Sequence, residues 1–308
     1  MNLSFVIPVK NEAESIPQLT KEIASVCKRL TKSYEIFFID DGSTDTSFKV
    51  IKTLAAKNKA IHCLRLRSNF GKATALSEGF KHAKGDIIFT MDGDLQDNPI
   101  EIPNFLKKLN EGYDLVNGWK KVRRDPISKT LPSKVINTSV RILTGLTLHD
   151  INCGYKAYTK TVAKSLNLYG DLYRFIPILV QKQGFKIAEI PVKHRERTSG
   201  KSKYGWQRFM IGFLDLLTVF FLARYLKRPG HFFGTLGAIS FALGFVIGLY
   251  ITYLRLTTGS IQYRYPLLFL GILLIIIGIQ FVITGLLGEM IIYFNHKEDL
   301  SELVIEKI

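Results

Sequence analysis

Residues 86–99 read DIIFTMDGDLQDNP. The apolar run at the front predicts a strand ending near Thr90, and Asp92, Asp94, Gln96 and Asp97 follow at once. Carboxylates packed this closely repel one another, so the segment calls for a cation or for a turn that satisfies them with hydrogen bonds. Asp92 and Asp94 stand two apart, and a turn leaving the strand can aim both at one site. A hard divalent cation such as Mg²⁺ or Mn²⁺ takes oxygen ligands, often a few carboxylates plus substrate phosphates, and Gln96 offers a further oxygen. Asp97, ahead of Asn98-Pro99, is read as the cap of the next helix. A polar turn holding no ion is the plain alternative.

Moving outward, apolar runs recur at 3–9 (LSFVIPV), 35–40 (EIFFID), 61–66 (IHCLRL), 86–92 and 113–119 (YDLVNGW). Helical patterns lie between them, at 16–30, 43–58 and 72–84. Strands alternating with helices predict an α/β domain with a mostly parallel sheet over about residues 1–204. Ligands bind such sheets at the carboxyl ends of the strands. Several polar clusters fall there together: Asn11-Glu12, Asp40-Asp41, Arg67 to Asn69, and the Asp92–Asp97 turn. No G-x-G-x-x-G follows the first strand and no Walker loop occurs, which excludes a dinucleotide or P-loop site.

The carboxyl third differs in kind. Residues 229–254 and 265–288 contain no Lys, Arg, Asp or Glu. Each run exceeds the roughly 20 residues a helix needs to cross a bilayer. A transmembrane hairpin over 229–295 is expected, with spans at about 232–254 and 266–292 joined by the polar link RLTTGSIQYR. Both outer ends then share one side with the soluble domain. Lys201, Lys203, Arg208, Arg224, Lys227 and Arg228 favour that side as cytoplasmic, against Arg255 and Arg264 in the link. The stretch 205–228 is apolar but broken by Arg208, Asp215 and Arg224, as suits a helix lying on the membrane surface. A third span is the alternative there. Residues 296–308 form a tail, expected to be cytoplasmic. The amino terminus turns polar too soon for a signal peptide and is read as a strand.

The 308 residues carry a net charge of +16, which suits nucleic acid, anionic membrane or phosphorylated substrates. Two spans and acidic strand ends argue against nucleic acid. Three cysteines without close spacing imply no disulfide framework and no structural zinc. In IDDGSTD (39–45), Ser43, Thr44 or Asp45 can cap the following helix, leaving a carboxylate of Asp40 or Asp41 to accept from a base or ribose. Arg67, Asn69 and Lys72 stand at a strand-to-helix junction, where phosphates bind well. VNGWKKVRRDPISK (116–129) is a basic segment able to receive a phosphorylated acceptor. Asp150 precedes NCGYK, and RTSGKSK (197–203) can clamp a phosphate or lie on anionic lipid.

The order of these motifs, from Pro8 and Asn11-Glu12 through DDGSTD, RSNFGKATAL, MDGDLQDNP, GWKKVRRD and Asp150-x-NCGYK to RTSGKSK, resembles family 2 glycosyltransferases of the GT-A fold, a Rossmann-like α/β architecture. Within them it is similar to the polyprenyl-phosphate glycosyltransferases, and the two-span tail resembles the bactoprenol glucosyltransferase subgroup. The resemblance implies that Pro8, Glu12 and Asp41 line a base pocket and that Asp92 lies near ribose or metal. Asp94 and Gln96 would bind Mg²⁺ or Mn²⁺, and Arg197, Ser202 and Lys203 would neutralise the donor diphosphate. Arg123 and Arg124 would meet a polyprenyl phosphate, and Asp150 would lie near the transferred sugar. UDP-glucose and undecaprenyl phosphate are the implied substrates, with GDP-mannose, UDP-N-acetylglucosamine and 4-amino-arabinose donors as alternatives. An inner-membrane location, a lipid-bilayer partner and a homo-oligomer such as a tetramer go with the family.

Two rivals differ in class. A processive polysaccharide synthase would carry Q-x-x-R-W and more spans, neither of which is found here. A non-enzymatic sugar-nucleotide or lipid-phosphate binding protein would not need the whole set of metal and diphosphate residues.

Overall fold

The computed structural model describes residues 2–121, 145–195, 228–261 and 263–295, with isolated positions between those stretches. The chain divides into two compact units, Met1–Val219 and Phe220–Ile308.

The first unit is a seven-stranded sheet flanked by helices. Its elements are β1 (Leu3–Val9), α1 (Ile16–Arg29), β2 (Tyr34–Asp40), α2 (Ser47–Lys57), β3 (Ile61–Arg65), α3 (Lys72–His82), β4 (Ile87–Thr90), α4 (Ile102–Asn110), β5 (Leu115–Trp119), β6 (Lys156–Thr159), α5 (Lys160–Ser165), α6 (Ile176–Lys182) and β7 (Ile187–Pro191). The strand order is β3-β2-β1-β4-β6-β5-β7. Strands β1 and β4 are apolar on both faces because helices cover both sides, and all of β4 is buried. The one hydroxyl within β1 is satisfied: Ser4 Oγ donates to Glu35 at 2.5 Å and accepts the Gly85 N–H at 2.7 Å. Phe89 stacks on Phe5 with ring centroids 5.2 Å apart and meets Phe105 edge-on at 5.9 Å, which ties β1 and β4 to α4.

Strands β1 to β4 pair in parallel. The chain winds outward through β2 and β3, then crosses back to place β4 on the other side of β1. The crevice between β1 and β4 is therefore a switch point, where the carboxyl ends of neighbouring strands open a ligand site. Strand β6 runs against both β4 and β5, so the sheet is mostly but not wholly parallel. The five expected strands are all present, with β4 stopping at Thr90 and β5 starting at Leu115. Strands β6 and β7 were not expected. Helix α2 starts at Ser47 rather than 43, because residues 40–45 form a hydrogen-bonded turn in which Asp40 accepts from the Ser43 N–H at 2.9 Å and Asp45 from the Ser47 N–H at 2.9 Å.

The second unit holds α7 (Pro229–Thr258) and α8 (Tyr265–Asn295), which contain the two expected spans. At 1.5 Å per residue each reaches about 45 Å, enough to cross about 30 Å of hydrocarbon. Their outward side chains are apolar and open, with Ile239 54%, Leu249 56% and Leu286 59% exposed, as suits lipid and not a soluble core. The helices meet along a seven-residue repeat. Gly237, Gly244 and Ile251 are buried on α7, and Gly271, Gly278 and Gly285 on α8. A β-carbon at Gly237 would lie 2.6 Å from the Gly278 carbonyl, and one at Gly244 2.6 Å from that of Gly271. Gly248 has nothing within 4 Å of its would-be β-carbon and lies off the seam. The surface helix expected at 205–228 and the tail at 296–308 lie outside the described residues, apart from isolated positions.

Gly237→Leu should force the seam apart, at a cost of about 1–3 kcal/mol. Gly248→Leu should stay within about 0.5 kcal/mol of the parent. Thermal unfolding of the two variants in detergent compares them directly.

Candidate active site

The turn after β2 is built around Asp41. Its carboxylate accepts the Phe70 N–H at 2.7 Å and the Gly71 N–H at 3.0 Å. With its amide turned to satisfy both partners, Asn69 donates to Asp41 at 2.7 Å and accepts from Lys10 at 2.7 Å. The Asp41 N–H donates to the Val9 carbonyl at 3.0 Å, so one residue joins β1, β2 and the loop before α3. Gly42 permits this packing: its φ is +70°, and a β-carbon there would lie 2.7 Å from the Asn69 nitrogen. Asp40 is wholly buried and pairs with Arg65 at 3.2 Å, a structural role. Asn11 and Glu12 precede α1 and do not start it. Asn11 accepts from the Thr44 N–H at 2.8 Å, and the Glu12 N–H donates to Ser47 at 2.9 Å. Pro8 and Glu12 border Gly93, whose would-be β-carbon lies 3.5 Å from the Pro8 carbonyl and 3.8 Å from Glu12 Cγ. The first acidic turn thus adjoins the second.

In that second turn, Asp92 is engaged by the Lys72 ammonium through Oδ1. Its Oδ2 faces Gly154, where a β-carbon would come within 2.6 Å. Asp97 does not cap a helix. It is buried, it accepts the Asp92 N–H at 3.0 Å, and Lys120 stands 3.9 Å away. Asn98 caps the short 3-10 turn Pro99–Glu101 that leads into α4, accepting from the Ile100 N–H at 3.1 Å. Asp94 accepts the Gln96 N–H at 3.2 Å, and Gln96 Nε2 donates to the Arg195 carbonyl at 3.2 Å. Ser15 holds the turn from the α1 side, donating to the Gly93 carbonyl at 2.6 Å.

Among the described residues, no three His, Cys, Asp or Glu side chains form a metal cage. The oxygens of Asp94 and Gln96 in one turn do fit a hard cation that draws further ligands from a substrate's phosphates. Asp92, the third residue expected to hold the ion, already has a cationic partner in Lys72.

Asp150 is buried against side chains of β5 and β7. Its carbonyl accepts from Asn117 Nδ2 at 2.7 Å and its N–H donates to Glu189 at 3.0 Å. Lys156, at the start of β6, is 2% exposed and donates to the carbonyls of Ile151 and Cys153. The charges on this floor act on one another. Burial works against the Asp92 carboxylate, but Lys72 foremost and Lys120 next hold it down to about 2. Burial raises Asp97, with Lys120 opposing. Lys120 is disfavoured by burial yet rises above its ordinary value, through Asp97 first and then Cys153, Asp92 and Asp150. Burial lowers Lys156 to about 8. Lys72 and Lys120 belong to motifs noted in the sequence, whereas Lys156 had no signal beyond its place in NCGYK. Arg123, Arg124, Arg197, Ser202 and Lys203 lie outside the described residues.

Burial raises all three thiols from 9.0: Cys27 and Cys153 to about 12, Cys63 to about 11. Each thiol is protonated in both folded and unfolded chains below pH 9, so the stabilisation is intact there. It is lost as pH rises from 9 towards those values, where only the unfolded thiol ionises. At pH 8 a short iodoacetamide pulse should leave all three unlabelled in the native protein and label all three in denaturant, read by mass spectrometry.

Residues 4–166 match the family described as Glycosyl transferase family 2. The chain is 37% identical to dodecaprenyl-phosphate galacturonate synthase of Rhizobium johnstonii, over 98% of this chain and 90% of that protein. It is 38% identical to undecaprenyl-phosphate 4-deoxy-4-formamido-L-arabinose transferase of Shewanella sediminis, over 94% of this chain and 86% of that protein. Glucosyl-3-phosphoglycerate synthase from Mycobacterium tuberculosis, solved with Mn²⁺ and UDP-glucose, shares the fold with a TM-score of 0.56 at 19% identity, covering 72% of this chain and 78% of that one. With acidic turns at the switch point of a GT-A-like sheet and a match that spans more than half its length, the chain belongs to glycosyltransferase family 2.

Proposed function

We propose that this protein transfers a sugar from a nucleoside diphosphate donor to a polyprenyl phosphate at the cytoplasmic face of the inner membrane. One observation carries the reading: the acidic turns of a nucleotide-sugar site share a chain with two apolar, outward-facing helices of membrane length. An acceptor with a phosphate at the interface and a long apolar tail explains why such an enzyme stays on the bilayer. The two relatives named above, matched over nearly the whole chain, act by their names on acceptors of this class.

In this reading Asp41, Pro8 and Glu12 form the wall against the base. Asp94 and Gln96, with Asp92 beside them, would hold Mg²⁺ or Mn²⁺. When bound, such an ion neutralises charge on the diphosphate. Lys72 and Lys120 add fixed positive charge next to the leaving group, set in place before reaction. Arg197, Ser202 and Lys203 serve the donor diphosphate, and Arg123 and Arg124 the lipid phosphate. The acceptor oxygen is already ionised near neutral pH and needs no strong base. It forms the new bond to the anomeric carbon while the bond to the diphosphate breaks, and the nucleoside diphosphate departs with the electron pair. A single displacement inverts the anomeric centre, so an α-linked donor gives a β-linked product. Asp150 orients the sugar.

The relatives' names weigh towards a uronate or a 4-substituted arabinose over the glucose expected from sequence. The test uses full-length protein in nanodiscs with undecaprenyl phosphate and Mn²⁺ or Mg²⁺. UDP-galacturonate, UDP-4-deoxy-4-formamido-L-arabinose, UDP-glucose and GDP-mannose are offered in parallel, and the glycolipid is read by mass spectrometry. Metal-dependent product from one donor is expected, reduced at least about a hundredfold in Asp94→Ala. Donor binding with no product from any of the four would count against the reading.

A further inference from the structure

Strands β5 and β7 lie in register, with Asn117 beside Glu189. Both side chains reach the backbone of the same residue, Asp150. Glu189 Oε1 accepts the N–H groups of His149 and Asp150, each at 3.0 Å. Its Oε2 accepts the His149 N–H at 3.0 Å and meets His149 Nδ1 at 2.8 Å. From the other side, Asn117 Nδ2 donates to the carbonyls of Asp150 at 2.7 Å and Gly118 at 2.9 Å. Asn117 is fully buried and the Glu189 side chain is 9% exposed. The His149 ring stacks on Trp119, with centroids 4.2 Å apart and planes 17° apart. Both backbone polar groups of Asp150 are therefore held by side chains of two adjacent strands, and the residue before it is held as well.

Closing a turn does not require this. The turn already has a backbone bond of its own, from the Cys153 N–H to the Asp150 carbonyl at 3.4 Å. A buried carboxylate placed on two successive N–H groups also sets the direction in which the next side chain leaves the backbone. Strand β5 also leads into the Trp119-Lys120 segment, and Asp150 adds, after Asp97, Cys153 and Asp92, to the charges that favour the Lys120 ammonium.

We propose that Glu189, aided by Asn117, is a positioning residue that holds Asp150 for sugar transfer. It acts through Asp150 and does not touch substrate. The proposal rests on the role given to Asp150 under Proposed function.

The test uses the full-length protein in nanodiscs with whichever of the four donors gives product, and Mn²⁺-UDP as the binding probe. Glu189→Leu should lower kcat by about tenfold to a hundredfold, the range expected when a reacting group is displaced by about 1 Å. Affinity for Mn²⁺-UDP should stay within about twofold of the parent, because Asp41, Asp94 and Gln96 are untouched. Glu189→Gln should recover most of the rate, because its oxygen still accepts from the two N–H groups. Hydrogen exchange of the 146–155 peptide should speed up in Glu189→Leu and stay slow in Glu189→Gln. On an Asp150→Ala background, Glu189→Leu should cost nothing further, within about twofold. Asn117→Ser, a smaller disturbance, is carried alongside in case Glu189→Leu does not fold, and the same non-additivity is expected. Additive losses, or a fall in Mn²⁺-UDP affinity equal to the fall in kcat, would overturn the proposal. Asp150→Ala with parental turnover would instead remove the role of Asp150, and the proposal with it.

Discussion

Carboxylates crowded at one end of a sheet are tolerable only with positive charge set between them. Asp92, Asp97 and Asp150 share their ground with Lys72, Lys120 and Lys156, and the effects run in both directions. Lys72 keeps Asp92 ionised, and Asp97 helps keep Lys120 charged despite burial. Neither set would be stable in this place alone, because a buried charge without a partner costs far more than a paired one. The question raised by DIIFTMDGDLQDNP thus has two answers. The turn satisfies part of the charge with its own N–H groups, and the chain's own ammonium groups supply resident cations.

That arrangement follows from topology. Lys72 begins α3, Lys120 follows β5, and Lys156 opens β6. They converge because β4 returns to the far side of β1, and because β6 runs backwards between β4 and β5. The reversed strand brings Lys156 and Gly154 to the carboxyl end of β4. In an all-parallel sheet the start of β6 would lie at the opposite edge. The absence of a side chain at Gly154 then lets that segment close on Asp92.

The sequence made the first half of this legible. Five strands, the helices between them and both long apolar helices could be read from periodicity and apolar length, and the acidic turns stood out because their carboxylates exceeded what capping needs. Strands β6 and β7 were hidden for a physical reason. KAYT and IAEIP are short, each carries a charged residue that backbone hydrogen bonds satisfy in the fold, and nothing local signals antiparallel pairing. Asp97 looked like a helix cap because it precedes Asn98-Pro99, yet Asn98 caps the short 3-10 turn before α4 and Asp97 is turned inward. The glycines of α7 were indistinguishable by composition. Only the seven-residue repeat with Ile251, facing Gly271, Gly278 and Gly285, separates the seam from Gly248. Glu189 and Asn117 gave no signal, since their partners lie across the sheet and far along the chain.

The same charge pattern bears on the metal. A site that binds a divalent ion tightly by itself gathers several carboxylates and leaves them unneutralised. Here Asp92 faces Lys72 and Asp97 faces Lys120, so two of the turn's three carboxylates already meet the chain's own ammonium groups. An ion in this turn would depend on oxygens brought by the donor's diphosphate. That suits an enzyme whose leaving group carries the negative charge that needs to be met. Lys72 and Lys120 offset Asp92 and Asp97 in the folded turn, and Asp94 and Gln96 are the oxygen donors that an ion bridging to the diphosphate would use.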